Sequence, residues 1–362
     1  VQPLATLLYA LPYLATGGAK TASLAGVLIL MTGLSVAAVF AIRSFAAGVL
    51  EDTAGMTWSD GIWPWIVAAL WFVGPLFLLH SMNALETGLY TAVVAATLSY
   101  FGWVSAQGGL YTRRQQLVLG CLCGLAFLAR IDGAFLVTAI FAVRFVQIQA
   151  SGQAGLRQAV AEAFPPGLIS LAIAAPWLLH NQIFFGSIMP ISGPAQSLNA
   201  AFGANLDLVP VKLFEGMFPM LPVPFGLEDI PAVQIGMAIV AAVIFVVFLW
   251  RLSATGNRFR QAVWAYAIFG GFLVAYYGAF FGAPHFLSRY LAPLSPLLIT
   301  AAVYVLLEVT ARWSVLHWLA GTAGIAGLIL SVALLGRLLL PGVKEQGHFH
   351  VVDWVQENVS ET

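Results

Sequence analysis

Read from its N-terminus, the chain is a series of long apolar runs separated by short polar breaks. A helix needs roughly 20 mainly apolar residues to cross the hydrocarbon core of a bilayer. About ten runs approach that length, at 23–42, 61–80, 88–106, 115–129, 133–149, 165–184, 230–250, 262–281, 290–309 and 315–339. The run at 115–129 is short and borrows polar flanks. Residues 1–14 are also apolar, but they hold Pro3 and Pro12 and are too short to span, which predicts an interfacial or re-entrant helix lying beside the membrane. No internal repeat and no heptad pattern interrupts this order. The pattern predicts an all-α integral membrane bundle: about ten transmembrane helices over residues 1–340, then the start of an extracytoplasmic region over 341–362.

Composition sharpens the picture. Hydrophobic residues make up 60% of the chain and charged residues 8%, with a mean hydropathy of +0.91. A soluble domain carries about a quarter charged residues to face water; this chain must be solvated by lipid along most of its length. The formal net charge is zero, which argues against nucleic acid as a partner. Cys121 and Cys123 stand two apart on one apolar run and point to different sides of a helix, so packing is their expected role. The chain begins with Val1 rather than Met, without a basic leader, and ends in the opening of an amphipathic stretch, so it reads as a fragment cut at both ends.

Lys and Arg are enriched on the cytoplasmic side of membrane proteins. If the long Pro-, Gly- and Phe-rich loop around 185–229 is outside, Arg43, Arg113, Arg114, Arg144, Arg157, Arg251, Arg258, Arg260 and Arg312 fall inside. Most of these read as lone arginines suited to lipid headgroups. The amphipathic stretch Gly155–Ala163 reads as a surface-lying connector on the same side, and Trp58, Trp63, Trp65 and Trp71 as an aromatic belt.

The same topology gathers polar groups at the outer face. His80, Ser81, Asn83, Glu86 and Thr87 share the first outer turn, and Arg130 and Asp132 the next. His180 and Asn181 sit at the end of their helix, Ser192 in the long loop, and His285, Ser288, Arg289 and Tyr290 in the last turn. A charge within a membrane is costly, so each needs a reason. Each also has a plain one. Glu86 could cap the following helix, Arg130 and Asp132 could form a structural ion pair, His180 could be an interfacial hydrogen-bonding residue, and Arg289 could snorkel to a headgroup. His348 and His350 form a pair without a third ligand nearby and read as solvated tail residues; no metal site is expected.

Together these groups suit transfer from a lipid phosphate. Breaking a sugar–phosphate bond builds negative charge on the departing phosphate, which a guanidinium at a half-dry interface stabilises. The acceptor hydroxyl needs a carboxylate to take its proton.

At these residues the sequence resembles the GT-C fold glycosyltransferases of bacterial envelopes. Ser81-Met82-Asn83-Ala84-Leu85-Glu86-Thr87-Gly88 is similar to one of their outer turns, although Ala84 stands where Gly is usual. Gly124-Leu125-Ala126-Phe127-Leu128-Ala129-Arg130-Ile131-Asp132-Gly133 is similar to another. Pro176-Trp177, Phe185-Gly186-Ser187 and Pro190-Ile191-Ser192-Gly193 resemble the segment opening their long loop, and Arg289-Tyr290-Leu291-Ala292-Pro293-Leu294 a helix start. Val1-Gln2-Pro3-Leu4 resembles the opening of their juxtamembrane helix, and Trp354 to Asn358 the lead into a C-terminal domain. These stretches cover nearly the whole chain in order.

The resemblance implies an inverting transferase of the bacterial inner membrane, arabinofuranosyl- or mannosyltransferase-like. It would move a sugar from a polyprenyl-phosphate donor to an extracytoplasmic glycan, lipid or protein, without a cofactor. Membrane lipid, the lipid-linked donor and the acceptor would be its partners. Arg289 and Tyr290 would contact the donor phosphate, and Asn83, Glu86, Arg130, Asp132, His180, Asn181, Ser192 and His285 would line the pocket. The catalytic base would be an Asp in an outer loop preceding Val1, so residues 1–362 would be inactive alone. A transporter or flippase of lipid-linked saccharides is the alternative; it would place polar groups near the midplane on broken helices. A ligase joining two lipid-linked chains would need paired arginines in a large outer loop, where this chain has Lys212 and no Arg.

Overall fold

The computed structural model describes residues 2–51, 61–82, 86–150, 156–188, 201–221, 223, 226–282, 286–311 and 314–339. Among these residues every regular element is a helix: α1 (Pro3–Ala15), α2 (Lys20–Leu50), α3 (Trp63–Val73), α4 (Pro75–Met82), α5 (Thr87–Ala106), α6 (Arg113–Ala129), α7 (Gly133–Ala150), α8 (Leu156–Phe185), α9 (Val209–Met217), α10 (Pro231–Thr255), α11 (Arg260–Ala279), α12 (Leu287–Leu291), a 3₁₀ turn (Ala292–Leu294), α13 (Ser295–Thr310) and α14 (Ser314–Leu339). All ten predicted runs are helical. Among the described residues seven helical stretches are long and apolar enough to cross a membrane by length and composition, and the chain is a multi-pass membrane protein.

The departures from simple spans have local causes. Pro75 has no N–H to continue the helix and restricts the residue before it, so the run at 61–80 breaks at Gly74 into α3 and α4. Pro293 and Pro296 divide the run at 290–309 into α12, the 3₁₀ turn and α13. α1 begins with Pro3 at its first position, where the missing N–H costs nothing. At about 1.5 Å per residue it is roughly 20 Å long, short of a hydrocarbon core. It packs on α2 and α6 and leaves Leu7, Leu11 and Leu14 exposed.

Two expectations are corrected and a third is qualified. Of the stretch read as a surface connector from Gly155 to Ala163, Gly155 lies outside the described residues and the rest belongs to a long helix: α8 starts at Leu156 and runs unbroken through Pro165 and Pro166. In an apolar surrounding, an unwound backbone has no water to satisfy it, so the helix tolerates the prolines. Its Glu162 is buried against Arg144 of α7, whose Nε donates to Glu162 Oε1 at 2.9 Å. Of the arginines expected inside, three have a carboxylate partner among the described residues. Arg144 pairs with Glu162, Arg251 with Glu308, and Arg258 with Glu51. Nor do Trp63 and Trp71 form a belt; both are buried in the core, while Trp65 is exposed. Trp58 lies outside the described residues.

α6, which leads into the site turn, packs tightly on α8. Gly120 and Gly124, one turn apart on α6, face Ile169 and Ile173 of α8, and a Cβ on either would fall within 3 Å of an isoleucine side chain. Small residues at this spacing let two membrane helices approach closely. The turn from α6 to α7 then holds Arg130, Ile131 and Asp132. Gly133 begins α7 against the Ala126 carbonyl, where there is no room for a side chain.

Candidate functional site

One end of the bundle collects the end of α4, the start of α5, the α6–α7 turn, the end of α11 and the start of α12. Glu86 occupies the N-cap position of α5, but its side chain makes no capping bond. Both of its oxygens instead accept from Arg289 Nη2 of α12, at 2.6 and 2.8 Å. Arg289 Nε donates to Thr87 Oγ1 at 3.3 Å. These bonds use Nη2 and Nε; among the described residues none uses Nη1. The Arg289 side chain is 15% exposed, so it is neither free in solvent nor sealed. Alongside, His80 Nε2 and Ser288 Oγ are 3.2 Å apart, tying α4 to α12.

A second pair lies deeper. Arg130 Nη2 donates to Asp132 Oδ2 at 2.5 Å and to the Tyr277 hydroxyl at 3.0 Å. The same hydroxyl donates to Asp132 Oδ2 at 2.9 Å, closing a three-membered ring. Arg130 is 1% exposed. Tyr90 of α5, Tyr277 of α11 and Tyr290 of α12 surround its guanidinium, with ring centroids 4.9, 5.8 and 4.6 Å from Cζ. Such faces stabilise a cation taken out of water. Tyr290 joins the two pairs: its ring stacks on Tyr277 at 4.4 Å and lies 5.7 Å from Arg289 Cζ. Among the described residues, Arg130 Nη1, Asp132 Oδ1 and the Tyr90 hydroxyl are buried without a hydrogen-bonding partner.

The end of α11 is itself anchored. Asn205, fully buried in the loop before α9, donates from Nδ2 to the carbonyls of Tyr277 at 2.9 Å and Phe281 at 2.7 Å. It thereby satisfies acceptors that a helix end leaves open. On the other side, α1 brings Tyr9 toward Glu86. Burial first, and the Glu86 carboxylate second, raise its phenol above the ordinary value.

Of the residues named from sequence, Glu86, Arg130, Asp132, Arg289 and Tyr290 come together. His180 does not join them: it is exposed on α8 among Trp177, Phe184 and Phe185, with ring centroids 4.6–5.9 Å away. Asn181 is buried and donates to the Ile188 carbonyl at 3.3 Å, closing the turn after α8. Asn83, Ser192 and His285 lie outside the described residues, as do His348 and His350. Tyr277, Tyr90, Asn205 and Tyr9 were not singled out from sequence; an aromatic or amide in an apolar run carries no periodic signal that separates it from core. Among the described residues, no three His, Cys, Asp or Glu side chains gather as a metal site.

Among the described residues the bundle also holds two apolar cavities. One, of about 590 Å³, lies between α3, α13 and α14 and is lined by Ile66, Leu70, Val303 and Leu330 among others. The other, of about 320 Å³, lies under the 3₁₀ turn between α9, α10 and α11. Met217 borders both.

No protein-family model and no curated protein matches the chain. Solved structures do. The archaeal oligosaccharyltransferase AglB from Archaeoglobus fulgidus, in complex with an inhibitory peptide and a dolichol-phosphate, superposes with a TM-score of 0.60 and 13% identity, covering 99% of this chain and 50% of that one. ArnT from Cupriavidus metallidurans, bound to undecaprenyl phosphate, gives 0.53 and 12%, covering 84% and 49%. The chain spans about half the length of the solved structures it matches. What is shared at this identity is the fold.

Proposed function

We propose that this chain, which has the GT-C fold, is the membrane core of an inverting glycosyltransferase taking its sugar from a polyprenyl-phosphate carrier. One observation carries the reading: the Arg289 guanidinium is held at the edge of the bundle by Glu86 and Thr87, and among the described residues nothing engages its Nη1. A phosphate placed there gains negative charge as its bond to the anomeric carbon breaks, and a guanidinium already oriented needs little rearrangement to stabilise it. The apolar cavity of about 590 Å³ between α3, α13 and α14 offers a seat for part of a polyprenyl chain. The solved AglB and ArnT structures hold dolichol-phosphate and undecaprenyl phosphate, which are carriers of this class. No cofactor is needed, because the donor brings its own leaving group.

Glu86 and Asp132 are both committed to ion pairs. Taking the acceptor's proton would cost either of them that partner, so the general base is another group. Glu86 serves to aim Arg289, and the Arg130–Asp132–Tyr277 ring supports Tyr290 from beneath. The polar groups gather at one end of the bundle rather than at its midplane, which favours a transferase over a carrier of lipid-linked saccharides. The acceptor is an extracytoplasmic glycan, lipid or protein of a bacterial envelope, and arabinofuranose and mannose are the sugars to try first.

The test is transfer from synthetic polyprenyl-phosphate sugars in membranes carrying the protein. Arg289→Ala should abolish transfer while the protein remains at normal level in the membrane. Near-normal turnover in that variant would remove the assignment.

A further inference from the structure

At the end of the bundle opposite Glu86 and Arg289, a cleft of about 690 Å³ opens between the last turns of α7, the end of α10 and the first turns of α11. We infer that this cleft binds one anionic phospholipid from the leaflet opposite the catalytic end, with its phosphate at Arg260 and an acyl chain along the cleft.

The cleft is graded in the way an amphiphile requires. On α7 its wall is Val143, Val146, Gln147 and Ala150; on α11 it is Arg260, Gln261, Trp264 and Ile268. Both sets follow the spacing of one helix face. Arg260, Gln261 and Gln147 stand near the helix ends, whereas Val143 and Ile268 lie a turn or more further in. Val146 is 63% exposed and Trp264 41% exposed, so the wall is reached from the side, through lipid, and not only from the end.

Charge singles out Arg260. Its neighbours are neutralised: Arg144 by Glu162, Arg251 by Glu308 and Arg258 by Glu51. Among the described residues no carboxylate is within ion-pair reach of Arg260. A cation near an apolar cleft attracts an anion that can also fill the cleft, which a phospholipid does and a soluble ion does not. Gln147 adds direction. Its Oε1 accepts from Arg144 Nη1 at 2.8 Å, and that bond settles which end of the amide is which. Its Nε2, which makes no bond among the described residues, is therefore the end left to donate. A guanidinium and an amide N–H₂ on facing helices are the donor set a phosphodiester needs.

The full chain in nanodiscs tests this with two probes, phosphatidylglycerol and phosphatidylcholine, each brominated on an acyl chain, read by quenching of tryptophan fluorescence. The quenched component contributed by Trp264 is identified as the part lost in Trp264→Phe. That component should favour phosphatidylglycerol roughly fivefold, the factor expected for one basic side chain near anionic lipid. Arg260→Gln should bring the ratio close to one. Arg157→Gln removes the same charge from the same end outside the cleft and should leave it unchanged. Persistence of the preference in Arg260→Gln, or its equal loss in Arg157→Gln, would overturn the site. Transfer activity is not the readout, so failure here is separate from failure of the transferase reading.

Discussion

Arg289 and Glu86 stand 203 residues apart, yet one guanidinium nitrogen of Arg289 donates to both carboxylate oxygens. The pair sets the direction in which the rest of the guanidinium faces. Neutralising Glu86 should therefore injure transfer more than folding.

In Glu86→Gln, turnover with a polyprenyl-phosphate sugar should fall at least tenfold, about 1.4 kcal/mol of barrier. The melting temperature in detergent should move only slightly, because the amide still accepts one bond from Arg289. Unchanged turnover would reduce Glu86 to a structural partner.

Arg130 and Asp132 are sealed from solvent, and taking away one member strands the other. Breaking a buried pair in this way costs about 3–5 kcal/mol. Arg130→Met and Asp132→Asn should each lower the thermal unfolding temperature sharply, whereas the double variant Arg130→Met/Asp132→Leu should recover much of the loss. If each single variant melts like the parent, the pair contributes nothing to stability.

The Tyr277 hydroxyl both accepts from Arg130 and donates to Asp132. Bonds to charged groups contribute about 1.5–3 kcal/mol, so Tyr277→Phe should lose stability on that scale while keeping its ring stack with Tyr290. Tyr276→Phe, at an exposed position, provides the comparison and should be close to neutral by the same unfolding measurement.

Gly133 meets the Ala126 carbonyl where a Cβ would be, and a backbone atom cannot swing aside as a side chain can. Gly133→Ala should cost about 1–3 kcal/mol and displace the turn carrying Arg130 and Asp132. Gly271→Ala meets nothing within 4 Å and should be neutral or slightly stabilising. Circular dichroism melts of the two variants check the contrast.

The helices were legible because lipid demands long apolar runs, and that demand dominates every local preference. Their joints were less so. Two adjacent prolines at 165–166 argue for a helix start, but the helix begins at Leu156 because Glu162 has a buried arginine to meet. Arg130 with Asp132 could be read as a pair from a gap of two residues. Glu86 with Arg289 could be placed on one face but not joined, since nothing local links residues so far apart. His180 shows how fine the phase is. It shares the outward face with Phe184, one turn on, while Asn181, a rotation of about 100° away, is buried. Sequence set both residues at the right helix end and could not say which side of the helix looked inward.

The tyrosine enclosure of Arg130 has a consequence for biogenesis. Its rings come from α5, α11 and α12, so the earliest complete enclosure waits until residue 290 has left the ribosome. At roughly 5–20 residues per second, the 145 residues between Asp132 and Tyr277 alone take about seven to thirty seconds to synthesise. During that interval Arg130 has Asp132 two positions away to neutralise it at the translocon. Glu86 has no basic residue so close along the chain and stays without its partner until Arg289 emerges.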